Sequence, residues 1–138
     1  MATLSYACVL TRDIERLAAF YREVLGVDAI GSEDYVQLHS DGTGLALSSK
    51  RSVDIFHAGA AEAKANRSVV LDFEVADVDQ QYCRLRTVVS HFVLQPTNQP
   101  WGCRSMLFRD PDGNLINFFS HLTSFEARLL RSKRTYLI

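Results

Sequence analysis

Two carboxylates stand at alternate positions of one strand-like run, Asp72 and Glu74 in SVVLDFEV. Alternate residues of a strand share a face. Val69, Leu71, Phe73 and Val75 are therefore expected to pack under a helix, and Val70, Asp72 and Glu74 to point the other way. Neighbouring carboxylates on an open sheet face attract cationic or polyhydroxylated molecules and hold them by charge-assisted hydrogen bonds. Tyr6, Tyr35, Trp101, Phe108 and Phe119 are the aromatic residues that would wall such a site, since aromatic faces also suit cations. Trp101 is the only Trp. It lies in the polar, Pro-bounded stretch PTNQPWG and reads as a cavity lid or a contact between subunits.

Metal chemistry has thinner support. A catalytic divalent ion needs about three N, O or S donors. The four histidines (His39, His57, His91, His121) fall on four segments without HxH or HxxxH spacing. They read as strand-end residues, with His39 and His57 at a pocket rim. Cys8 and Cys83 read as small packing residues. Cys103 sits beside Arg104, a cation of the kind that favours thiolate, yet a packing or incidental role is the expected one. No GxSxG elbow or GxxxxGK[ST] loop is present. Three unpaired cysteines suit a reduced, cytoplasmic setting better than a disulfide framework. A net charge of −1 gives no general attraction to nucleic acid. No apolar run approaches the roughly 18 residues of a membrane span, and no secretory signal is visible.

The elements that must position these residues come in a repeated order. A strand over Leu4–Thr11 leads to Asp13, a good N-cap, and to a helix in which Ile14, Leu17, Phe20 or Tyr21, Val24 and Leu25 share one face. Gly26 ends it. Short strands follow at Val27–Gly31, Tyr35–His39 and Gly44–Ser49, with Asp41-Gly42 as a turn. Residues 51–67 read as a polar linker, with a short helix around Ala60–Ala65. The second module spans residues 68–121: a strand over Ser68–Val75, a helix over Val78–Val88, a strand at His91–Leu94, and a hairpin of Arg104–Arg109 and Asn114–Ser120. That hairpin turns at Asp110-Pro111-Asp112-Gly113. Asp77 repeats the role of Asp13, 64 residues on. The expected fold is α+β: two βαβββ modules (4–50 and 68–121) forming curved mixed sheets around a cavity, helices outside. Residues 123–138 add a basic helical tail capped by Thr123 or Ser124.

DIERLAAFYREVLG and PTNQPWG…FRDPDGNLINFF resemble the helix and terminal hairpin of the vicinal oxygen chelate superfamily (glyoxalases, bleomycin-resistance proteins and extradiol dioxygenases) over Leu4–His121. Metal enzymes of that superfamily place His, Gln or Glu on four strand positions. Carried over, these fall on Tyr6, Val70, Asn117 (where the enzymes have Glu) and Ala46 or Leu47. The resemblance therefore implies the fold without its usual metal centre, close to the bleomycin-resistance branch. It implies a homodimer without metal or cofactor that binds a small organic ligand, cationic or aromatic. The site would comprise Tyr6, Tyr35, His39, Asp72, Glu74, Trp101, Phe108, Asn117 and Phe119. A metal-dependent lyase, isomerase or dioxygenase with displaced ligands, and a non-enzymatic interaction module, are the alternatives.

Overall fold

The computed structural model describes residues 1–38 and 44–126. Among these, the chain runs β1 (Tyr6–Thr11), α1 (Ile14–Leu25), β2 (Ala29–Gly31), β3 (Tyr35–Leu38), β4 (Gly44–Ser49), α2 (Lys50–His57), β5 (Val70–Glu74), α3 (Val78–Leu85), β6 (Phe92–Asn98), β7 (Cys103–Arg109) and β8 (Leu115–His121). Two four-stranded sheets result, ordered β1-β4-β3-β2 and β5-β8-β7-β6. In each, the first strand of a module pairs parallel with its last and the other pairs are antiparallel. This identical order is the α+β, two-module architecture that the repeat implies. By contacts the chain forms two compact units. One is Met1–Arg67 with Asp110–Asn114; the other is Ser68–Arg109 with β8 and the described residues after it.

In the first unit, the Asp13 side chain accepts from the Arg16 N–H (3.1 Å), and Gly26, at φ 66°, closes α1 by donating to the Arg22 carbonyl. Ile14, Leu17, Tyr21 and Val24 are buried on α1, as are Val36, Leu38, Leu45 and Leu47 on the sheet beneath it. Each such apolar side chain stabilises by about 1.5–3 kcal/mol. Of the alternatives Phe20 and Tyr21, it is Tyr21 that turns inward. Its hydroxyl donates to Asp110 Oδ2 at 2.5 Å. Asp110 Oδ1 accepts from the backbone N–H groups of Asp112 and Asn114, both at 2.9 Å, and Asn114 Nδ2 donates to Oδ2 at 2.8 Å. The carboxylate, only 5% exposed, thus has four donors. Burial, reinforced by the Asp110 charge, pushes the Tyr21 hydroxyl well above the ordinary tyrosine range.

The stretch 51–67 is not wholly linker, and its helix lies earlier than residues 60–65: α2 spans Lys50–His57. Ser49 is the missed cap. Its hydroxyl accepts from the Ser52 N–H (3.1 Å) and donates to Asp34 Oδ1 (2.7 Å). Arg51 also grips Asp34, by Nε (3.1 Å) and Nη2 (2.5 Å), which holds the Asp34 carboxyl below its usual range. On α2, Ile55 and Phe56 are exposed. The turn at Asp41-Gly42 lies outside the described residues.

In the second unit, Asp77 caps α3 through the Gln80 N–H (3.1 Å). α3 ends at Leu85 rather than Val88. Under it lies a chain of aromatic edges. Ring centroids are 5.0 Å apart for Tyr82–Phe92, 5.9 Å for Phe92–Phe108, 5.1 Å for Phe108–Phe118 and 5.9 Å for Phe73–Phe118. Arg104 reaches Asp79 on α3 with Nε (2.7 Å) and Nη2 (2.8 Å). This hydrogen-bonded pairing draws the Asp79 carboxyl below its usual range. β6 runs on to Asn98, so Pro96 and Thr97 are strand rather than loop. It is an edge strand with register shifts between Phe92 and Leu94 and between Leu94 and Thr97, and an edge tolerates a residue without an N–H. Thr123 caps the turn at residues 124–126 by a reciprocal pair with Glu126, both bonds 3.1 Å. The rest of the expected tail helix lies outside the described residues.

Replacing Tyr21 by Phe is expected to cost about 1–3 kcal/mol in urea denaturation, because a buried carboxylate loses a donor. The alkaline limb carries a sign. Tyr21 holds its proton more tightly folded than unfolded, so its contribution is complete below about pH 10 and declines as pH rises beyond. Tyr21→Phe should make that decline shallower. For Asp79 the sign reverses. Its folded carboxyl is the stronger acid, so its contribution stands above about pH 4 and is lost on acidification. Asp79→Asn should flatten the acid limb while lowering stability at pH 7 by no more than about 1 kcal/mol, since the pair is solvent-screened.

Candidate functional site

Strand alternation divides each sheet into a helix-covered face and an open one. In the second sheet, Leu71, Phe73, Ile116 and Phe118 turn toward the core while Val70, Asp72 and Glu74 are exposed. Asp72 lies beside Asn117 in the parallel register, and Glu74 beside Phe119. Across β8, Asn117 is opposite Leu107, Phe119 opposite Ser105, and His121 opposite Cys103. The open face therefore gathers Asp72, Glu74, Asn117 and Phe119, four of the residues expected there.

Their polar atoms are engaged in order. Asn117 Nδ2 donates to Asp72 Oδ1 at 3.1 Å. This fixes the amide, and Asn117 Oδ1 is left buried without a hydrogen-bond partner. An unsatisfied buried acceptor costs about 1–3 kcal/mol, which a donor reaching it would recover. Glu74 Oε1 lies 3.3 Å from His121 Nε2. The Cys103 Sγ lies 3.7 Å from His121 Nδ1. The Phe119 and His121 rings meet edge to face, with centroids 5.8 Å apart.

Tyr6 and Tyr35 lie on the open face of the first sheet, in the other unit. There Gln37 Nε2 donates to the Tyr35 hydroxyl (3.3 Å) and Cys8 Sγ meets Ser48 Oγ (3.0 Å). Tyr6 lies flat over Gly44: a Cβ at Gly44 would come within 2.3 Å of the ring. Phe108 is a correction. It pairs with Ile116, faces the helix, and is fully buried in the aromatic chain. One-residue parity decides the face, and Phe108 has the parity of the core. Trp101 is 71% exposed. It stands in a tight turn closed by Gly102 N–H to Gln99 O (3.1 Å), with Gly102 at φ 97°, rather than in a long rigid loop. Cys8 and Cys83 are exposed, not packed. His57 and His91 are exposed, the former against the Ala58 carbonyl; His39 lies outside the described residues.

The positions that would carry a metal in the resembled enzymes do not form a donor set. Val70 and Ala46 are apolar on the open face, Leu47 is buried on the helix side, and Asn117 is committed to Asp72. Among the described residues, no group of three or more His, Cys, Asp or Glu side chains is placed to hold an ion. The missed members of the face are Cys103 and His121. The signal was present: counting outward from the DPDG turn in hairpin register pairs them.

A family model described as the Glyoxalase/Bleomycin resistance protein/Dioxygenase superfamily matches residues 3–118. The uncharacterized protein YraH of Bacillus subtilis (strain 168) is 27% identical over 121 residues, covering 83% of this chain and 94% of the relative. A protein of unknown function from Agrobacterium tumefaciens str. C58 superposes with TM-score 0.73 at 31% identity, over 88% of this chain and 95% of its own. A glyoxalase/bleomycin resistance protein/dioxygenase family enzyme from Burkholderia phytofirmans PsJN superposes with TM-score 0.79 at 20% identity, over 88% of this chain and all of its own. With the paired βαβββ sheets and a match across most of its length, the chain belongs to the Glyoxalase/Bleomycin resistance protein/Dioxygenase superfamily.

Proposed function

We propose that this chain is a small-molecule-binding protein of the bleomycin-resistance or glyoxalase-like kind, holding a cationic or aromatic organic ligand without a metal. The observation that carries the reading is the open face of the second sheet. Asp72 stands beside an amide whose oxygen lacks a partner, and Glu74 beside Phe119. A cationic N–H donor on an aromatic frame satisfies all of these at once: charge to the carboxylates, a hydrogen bond to Asn117 Oδ1, stacking on the ring. The poor donor set at the metal positions supports sequestration over metal-assisted turnover. Exposed Ile55 and Phe56 on α2 leave apolar surface for a second copy of the chain, and a homodimer is part of the proposal.

Calorimetric titration of the full chain with aromatic, cationic and glycopeptide-like antibiotics tests it. At least one compound should bind, and Asp72→Asn should weaken that compound about 10–100-fold, the equivalent of one charge-assisted hydrogen bond. Absence of binding by every cationic compound, or a stoichiometric transition metal held in the purified protein, would count against the reading. Sedimentation of the same samples decides the dimer.

A further inference from the structure

Three adjacent strands place a thiol, an imidazole and a carboxylate in line across the second sheet. Cys103 on β7 faces His121 on β8, and Glu74 on β5 lies on the far side of the ring. The two ring nitrogens have different partners: Nε2 is 3.3 Å from Glu74 Oε1, and Nδ1 is 3.7 Å from Cys103 Sγ. A carboxylate only accepts, so Nε2 carries the hydrogen and Nδ1 presents its lone pair to the thiol. That is the arrangement of an activated nucleophile: nucleophile, base, and a third group that orients the base.

We infer that Cys103, His121 and Glu74 form a nucleophilic thiol site that adds to soft carbon electrophiles, the class of α,β-unsaturated carbonyl compounds. In the addition, His121 Nδ1 takes the Cys103 proton and Glu74 stabilises the imidazolium. Sulfur then forms a C–S bond to the β-carbon. The carbon–carbon π pair shifts to the α-carbon, which takes the proton back from Nδ1. No oxidant, reductant or metal enters the balance. Cys103 is the reacting residue; His121 and Glu74 position and charge it.

The surroundings suit this role. The His121 and Glu74 side chains are 69% and 63% exposed, so a solute can reach them. The backbone on either side is held: Leu122 N–H donates to Gly102 O (2.9 Å) and Gln99 N–H to Cys103 O (2.7 Å). The Phe119 ring edge abuts the imidazole. From β5, Glu74 faces the ring, and Asp72, the next carboxylate on that face, is bonded to Asn117. Arg104, the cation adjacent to Cys103 in the chain, is turned to Asp79 on α3 and is not the thiol's partner. On the hairpin side, Ser105 is the polar neighbour on the same face.

The inference is independent of the proposed ligand, because its test needs none. The full chain is treated with N-ethylmaleimide at pH 6–9, and modification of Cys8, Cys83 and Cys103 is followed separately by peptide mass spectrometry. Because His121 Nδ1 stands ready to take the proton as sulfur adds, Cys103 should react about tenfold faster than exposed Cys83 at pH 7. His121→Asn should bring Cys103 to the rate of Cys83. Glu74→Gln should give an intermediate rate, and Glu74→Asp should restore part of it. An unchanged Cys83 rate and melting temperature show that each variant is folded. Equal rates for Cys103 and Cys83 in the unaltered protein, or a Cys103 rate indifferent to His121→Asn, would overturn the inference. Loss of cation binding with Cys103 still fast would overturn the ligand reading alone.

Discussion

A buried carboxylate with four donors is the constraint on which the first unit depends. Asp110 is nearly out of water, where an unpaired charge is very unfavourable. The Tyr21 hydroxyl, two backbone N–H groups of its own turn and the Asn114 amide compensate it. Asn66 adds a bond to Asn114 at 3.3 Å, so the turn is tied both to α1 and to the stretch before β5. The same atoms therefore do two jobs. They close the DPDG turn locally, and they fix the phenol of an α1 residue that a purely apolar face would have left as Phe. The hairpin leaving this turn carries Cys103, Asn117 and His121, and its register descends from the Asp110–Asn114 geometry.

Parity along the strands decides everything else about the open face. On β8, Ile116 and Phe118 face α3 while Asn117, Phe119 and His121 face away. A slip of one residue would exchange the two sets. The aromatic chain from Tyr82 to Phe73 opposes such a slip, because its rings meet at edge-on or tilted angles with centroids 5.0–5.9 Å apart and fill the space under the helix. Hydrophobic packing on one side thereby sets which polar groups meet on the other. Asp72 with Asn117, and Glu74 with His121, are consequences of a core in which neither pair takes part.

Much of this was legible in the residues. The repeated cap-and-helix pattern, the period-two alternation of LDFEV and the Pro-Asp-Gly turn are local signals that the structure reproduces, although β5 begins only at Val70 and Val69, expected under the helix, is 55% exposed. What was not legible depends on distance along the chain. Tyr21 and Asp110 are 89 positions apart, and nothing near either residue announces the pairing. Ser49 caps a helix too short and too weakly apolar to announce itself in the sequence. The aromatic character of Phe108 suits a cavity wall, but its strand parity places it in the core. In sequence Cys103 adjoins Arg104, whereas the sheet gives it His121 and sends Arg104 to Asp79.

Pro96 has a consequence for how this molecule can associate. A free strand edge is a template on which another chain can lay its backbone. At the middle of β6 that template is interrupted: the proline offers no donor, and two register shifts keep the strand from lying straight. The β6 margin of the second sheet is therefore guarded against runaway strand addition, the route by which sheet proteins form fibres. Whatever meets the sheet at that margin must come to its side chains rather than extend its hydrogen-bond ladder.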